Sequence, residues 1–210
     1  MDNGLRAKTL TDASRSIETG DILLFRRGGG LFDRLLSVAG RSPYVHVGMA
    51  VWLNNDARPV PSITGSATLC LVDVLQWHGG RVVTLESEVA RYPGQYDLFS
   101  ISRRFDRDFD RLAASRRMMK YSASRYGWWN VFRVSLRHMA FVRLLFPPLV
   151  DDKANGTFPP FCSQAVAHSC RKYGGIDPVP NLADRVTEPG DIARSLLFEY
   201  QFTLPGGTTQ

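Results

Sequence analysis

The chain has 210 residues, of which 44% are hydrophobic, 11% aromatic and 22% charged. That composition allows a sizeable core and excludes collagen-like, mostly disordered and disulfide-stapled classes. The formal net charge of +6 favours anionic partners without distinguishing nucleic acid, lipid headgroups or cell-wall polymers.

No internal repeat or Ser/Gly linker divides the sequence, so one domain is expected over residues 1–210, its core running from about 18 to 200 between loose tails. Met1 to Gly20 is polar and lacks the apolar segment of a secretory signal. The cysteines Cys70, Cys162 and Cys170 form no C-x-x-C pair, which predicts a reduced state and no zinc motif. A cytoplasmic location is therefore expected, with peripheral membrane association left open.

Gly20-Asp21 opens the apolar run Ile22-Leu23-Leu24-Phe25, a short strand, and Arg26 to Gly30 is a basic, glycine-rich turn. No G-K-[ST] follows Gly28-Gly29-Gly30, so the turn reads as a plain loop rather than a phosphate cradle. Asp21 is expected to hydrogen-bond its local backbone at the strand start. Between Tyr44 and Leu53, Val45, Val47, Met49, Val51 and Leu53 alternate with Tyr44, His46 and Gly48, the period of a strand. The alternation places His46 beside Tyr44 on one face and the aliphatic row on the other.

Asn54-Asn55-Asp56 reads as a turn. Leu69 to Leu75 is a second strand, apolar on both faces with Asp73 in its middle; an ionised carboxylate there demands a partner. After a turn at Trp77-His78-Gly79-Gly80, Arg81 to Leu85 completes a meander.

Phe105 to Tyr121 has near-helical period and carries Arg107, Arg111, Arg116, Arg117 and Lys120. It predicts a helix with a solvated basic face or, alternatively, a surface for anionic partners. Val131 to Val150 is the most apolar stretch, but Arg133, Arg137, His138 and Arg143 interrupt it, and a membrane span needs about 20 mostly uncharged residues. Trp128 to Phe146 suits a core helix with snorkelling arginines, or else an acyl chain or membrane surface. Pro159-Pro160 before and Gly174-Gly175 after bound a helix from Phe161 to Tyr173. On it Cys162, Val166, Ser169, Cys170 and Tyr173 share one stripe, with His168 nearly opposite.

A cysteine at a helix start has unpaired N–H groups and the positive end of the helix dipole beside it, which favour thiolate over thiol. Cys162 is thus the candidate nucleophile, whereas Cys70 and Cys170, inside a strand and two turns into the helix, read as small buried hydrophobes. Cysteine catalysis also needs an imidazole and a polar group to orient it. Of His46, His78, His138 and His168, only His46 lies on a strand face open to another layer. Asp73 is the matching carboxylate, and Tyr44 is a candidate oxyanion donor or cleft-lining residue.

These residues also carry a resemblance. Gly20-Asp21-Ile22-Leu23-Leu24-Phe25, His46-Val47-Gly48-Met49, Leu71-Val72-Asp73-Val74 with Gly79-Gly80-Arg81-Val82-Val83-Thr84-Leu85, and Phe161-Cys162-Ser163 resemble, in that order, the circularly permuted branch of the NlpC/P60 papain-like superfamily, in particular its YiiX/YebB-like members. Glu188-Pro189-Gly190-Asp191-Ile192-Ala193 followed by Ser195 is similar to their C-terminal segment. The resemblance implies an α+β papain-like fold with helices packed on a curved antiparallel β-sheet. It also implies Cys162 as nucleophile, His46 as general base and acid, and Asp73 as orienter where relatives often carry Glu.

The expected reaction is hydrolysis of an amide or peptide bond through an acyl-enzyme, on cell-wall peptides or N-acyl compounds, without a cofactor. The alternatives are a lipid-directed acyltransferase or phospholipase-like thiol enzyme, and a non-catalytic binding module on the same fold. A metal held by His46, Asp73 and Cys162 lacks the short ligand spacing of zinc motifs. No aromatic-interleaved basic motif points to nucleic acid.

Overall fold

The computed structural model describes residues 9–28, 42–63, 65–75, 78–123 and 160–207. The segments Val131 to Val150 and Trp128 to Phe146, with His138, lie outside these residues, as do Trp77 and the Gly29-Gly30 end of the glycine turn. Among the described residues no helix is long and apolar enough to cross a membrane.

The strands are β1 (Ile22–Arg26), β2 (Tyr44–Leu53), β3 (Pro59–Val60), β4 (Thr68–Leu75), β5 (Gly79–Thr84), β6 (Gln95–Ile101) and β7 (Phe198–Pro205). They form an open sheet in the order β5-β4-β2-β1-β6-β7, with β3 paired to β2, and these pairings are antiparallel. The helices are α1 (Leu10–Ser14), α2 (Leu85–Arg91), α3 (Arg111–Lys120), α4 (Cys162–Lys172) and α5 (Pro189–Ala193). The class is mixed α+β.

Both faces of the sheet are covered. Ile22, Leu24, Val47, Met49, Val72 and Val74 pack with Met118 of α3, Val166 and Cys170 of α4 and Ile192 of α5. Leu23, Phe25, Ala50, Trp52, Leu71 and Leu98 pack with Ala13 of α1 and Leu85 of α2. Two-sided burial explains why Ile22 to Phe25 and Leu69 to Leu75 read as continuous apolar runs, since a strand covered on one face only would alternate with polar residues.

The alternation expected from Tyr44 to Leu53 is broken at its start. Tyr44 pairs with Arg26 and His46 with Phe25, so two steps along β2 match one step along β1 and Val45 is the extra residue of a bulge. Tyr44 consequently packs against the cluster under α3 and α4, while Val45 packs against the cluster under α2. Bulges of this kind re-aim a side chain beside a functional site. Here the bulge separates Tyr44 from His46, which the unbroken period had placed together.

The helix expected from Phe105 begins only at Arg111. Asp110 caps it, its side chain accepting the Ala113 N–H at 2.8 Å, and Phe105 to Asp110 forms turns in which Asp competes for backbone hydrogen bonds. Nor are its arginines simply a solvated face. Arg111 donates to the buried Asp21 at 2.8 Å and pairs with Glu18 and Asp106, and Arg117 stacks over the rings of Tyr121 and Tyr173. Asp21 accepts the Glu18 N–H at 2.9 Å, the local bond expected of it, and Arg111 is its long-range partner.

At the sheet edge, β5 lies against the turn that follows α3. A Cβ on Gly80 would stand 1.7 Å from the Tyr121 carbonyl oxygen, and backbone on both sides leaves nothing soft to move. Gly80→Ala is expected to lower stability by about 1–3 kcal/mol or more, the range for overpacking. The check is a fall in the denaturant midpoint at unchanged slope.

Candidate active site

Cys162 is the first residue of α4. Phe161 before it is extended (φ −99°, ψ 173°) and supplies no side-chain cap, so the first-turn N–H groups are not taken up by a capping side chain. The backbone N–H groups of Ser163 and of Val47 on β2 favour the Cys162 thiolate. Cys162 is 5% exposed.

His46 follows the bulge, its ring set edge-on against Phe25 with centroids 4.7 Å apart. Its Nε2 lies 2.9 Å from Asp73 Oδ2. The imidazole also lies close enough to Cys162 for each to shift the other's pKa, and since Nε2 serves Asp73, Nδ1 is the nitrogen left for sulfur. The β2–β4 ladder ends at Met49↔Val72, and continuing that register would set Gly48 opposite Asp73. A Cβ on Gly48 would be 3.1 Å from Asp73 Cβ and 2.6 Å from a Leu71 methyl, so glycine leaves the room that the carboxylate occupies. The structure therefore brings together the three residues singled out from sequence: Cys162 from the start of α4, His46 from the bulged end of β2, and Asp73 from β4.

Asp73 is fully buried, and the partner that its setting demands is double. Besides His46, Arg81 of β5 donates from Nε to Oδ1 at 2.8 Å and from Nη2 to Oδ2 at 3.0 Å. Arg81 also reaches Glu88 of α2 with two bonds of 2.9 Å. Sequence reasoning missed Arg81 and Glu88. The available signal was the meander itself, because a tight turn between Leu75 and Gly79 sets Asp73 opposite Arg81. With both oxygens held by a guanidinium, Asp73 is a poor ligand for a metal cation.

Electrostatics follow from these contacts. Burial opposes the Cys162 thiolate, but the His46 charge, the His46 hydrogen bond and the N–H groups of Val47 and Ser163 outweigh it and lower the thiol pKa. Burial likewise opposes the imidazolium, yet Cys162 and Asp73 raise the His46 pKa to about 10. Asp73 is lowered against its own burial by His46 and Arg81. These directions favour a thiolate–imidazolium pair backed by a carboxylate. Cys70 and Cys170, by contrast, are pushed up by burial, and all three cysteines are free of disulfides.

Tyr44 does not join the site as an oxyanion donor. Its hydroxyl donates to the buried Asp97 at 2.6 Å, where Arg26 at 2.8 Å and the Thr203 hydroxyl at 2.6 Å also converge. The tyrosine proton is committed to that structural network. His168 sits on α4, 2.6 Å from the Tyr121 hydroxyl, and His78 lies in the β4–β5 turn.

No protein-family model matches this chain, and no curated protein matches it either.

A lowered thiol pKa leaves thiolate present as pH falls, until pH drops below that lowered value. Iodoacetamide is therefore expected to alkylate Cys162 faster than Cys70 or Cys170 in the folded protein, and to do so well below the ordinary cysteine value of about 8.5. His46→Ala removes the imidazolium, so the acid limb of the rate profile should move to higher pH. Mass spectrometry of the three cysteine peptides across pH reads both effects.

Proposed function

We propose that this protein is a cysteine hydrolase of the permuted NlpC/P60, papain-like type, cleaving an amide or peptide bond through an acyl-enzyme on Cys162. The contact of Cys162, His46 and Asp73 carries this reading. Two features support it further: the imidazole presents Nε2 to the carboxylate, leaving Nδ1 for sulfur, and the thiol stands at an uncapped helix N-terminus.

In this mechanism the thiolate attacks the substrate carbonyl carbon. The oxyanion that forms is stabilised by first-turn N–H groups of α4 and the positive end of its dipole. The His46 imidazolium gives its proton to the leaving amine as the C–N bond breaks, and a thioester remains on Cys162. Water then gives a proton to His46 while its oxygen attacks the thioester. The acid departs, the sulfur leaves as thiolate, and the starting ion pair returns. Asp73 stays ionised and holds the ring in register.

The net charge of +6 suits substrates that carry carboxylates, as cell-wall peptides do. A lipid-directed acyltransferase would share the thioester and differ in acyl donor and acceptor. A panel of dipeptide amides run beside a panel of short-chain lipid esters separates the two; turnover of amides is the expected result. Cys162→Ala should abolish turnover, and Asp73→Asn should lower kcat by on the order of 10²- to 10⁴-fold, as loss of a triad carboxylate does. Hydrolysis of neither panel, with no acyl-enzyme seen by intact mass, would leave a binding module in place of an enzyme.

A further inference from the structure

Arg81 stands directly across the β4–β5 ladder from Asp73, so the two side chains rise from the same face of the sheet. Its guanidinium makes four bonds of 2.8–3.0 Å, two to Asp73 and two to Glu88. The Asp73 side chain has no exposure, that of Glu88 9% and that of Arg81 20%. Asp73 Oδ2 is shared between Arg81 Nη2 and His46 Nε2, so the fork that fixes the carboxylate plane also fixes the direction left for imidazole. A row of alternating charge results: Glu88, Arg81, Asp73, His46, Cys162.

Resting on the hydrolase reading above, we infer that Arg81 is a positioning residue of the triad, anchored by Glu88, whose guanidinium aims Asp73 Oδ2 at His46 Nε2. The requirement comes from the proton cycle. When His46 gives its proton to the leaving group, a buried Asp73 with no other cation would be left uncompensated and would itself compete for that proton. Arginine stays charged throughout, so the carboxylate keeps one cation in every step. A stability role alone is a weaker account, because buried ion pairs add little over apolar packing of the same volume.

The titratable and charged groups facing this row from the elements packed against it are Cys162 (α4), His46 (β2), Arg81 (β5), Glu88 (α2), Tyr92 after α2 and Tyr96 (β6). The test is the pH profile of Cys162 alkylation by iodoacetamide in the full chain carrying Arg81→Met, Arg81→Lys or Glu88→Gln, with near-ultraviolet circular dichroism to confirm folding.

In Arg81→Met the imidazolium loses its aligned carboxylate, the thiol loses its cation, and the acid limb should rise by about 1 on the pH scale. Rates on that limb then fall about tenfold. Arg81→Lys should fall with it, because one ammonium cannot bridge two carboxylates in a fixed plane. Glu88→Gln should move the limb the same way by less. If Arg81→Met does not fold, Arg81→Lys and Glu88→Gln decide. Folded variants with the wild-type profile overturn the role of Arg81. Wild-type Cys162 that labels no faster than Cys70 and Cys170 is a different outcome, and it overturns the hydrolase reading together with this one.

Discussion

A carboxylate with no access to water keeps its charge only if the fold supplies cations in its place, and Asp73 is such a group. Burial alone would protonate it; His46 and Arg81 reverse that and lower its pKa. Much of the site depends on this one balance. The ionised Asp73 stabilises the His46 imidazolium, the imidazolium stabilises the Cys162 thiolate, and the thiolate in turn holds the imidazolium. Removing one partner from a buried pair is costly, about 3–5 kcal/mol in typical cases, because the other charge is stranded.

The fold meets this demand by joining two layers. Asp73 and Arg81 are cross-strand neighbours that reach Glu88 of α2 on one side of the sheet, whereas Cys162 belongs to the cluster under α3 and α4 on the other. They meet through His46, at the end of β2 that the β4 ladder does not cover. His46 keeps the regular register of β2 while the bulge at Val45 turns Tyr44 to the other face, and Gly48 leaves the space that Asp73 fills. A strand with unbroken alternation would have sent His46 and Tyr44 to the same face.

Cys162, His46 and Asp73 were legible because each is anomalous in its local pattern: a cysteine at a helix start, a histidine in an aliphatic strand, a carboxylate in an apolar run. The strand Tyr44–Leu53 and the helix Cys162–Lys172 were legible from period and from flanking Pro and Gly. Less came through elsewhere. The strands β6 and β7 lie far apart in the chain, yet pair along their length, and nothing local marks each as the other's neighbour. Leu85 extends the apolar period of the preceding strand in the sequence, whereas in the fold Thr84 caps α2 by accepting the Ser87 N–H. The basic stretch around α3 looked solvated because its countercharges, Glu18 and Asp21, lie about ninety residues away.

The amino-acid order determined the secondary structure around the site and the chemical type of its three central residues. Both follow from short-range physics: side-chain period, turn chemistry, and the exposed N–H groups of a helix start. Only the tertiary structure decided that Tyr44 faces Asp97 instead of the thiol, that Arg111 closes on Asp21, and that Arg81 and Glu88 complete the charge row. Those outcomes turn on a one-residue bulge and on strand register. A single residue of register reverses which face a side chain occupies, and register is settled by packing between distant segments.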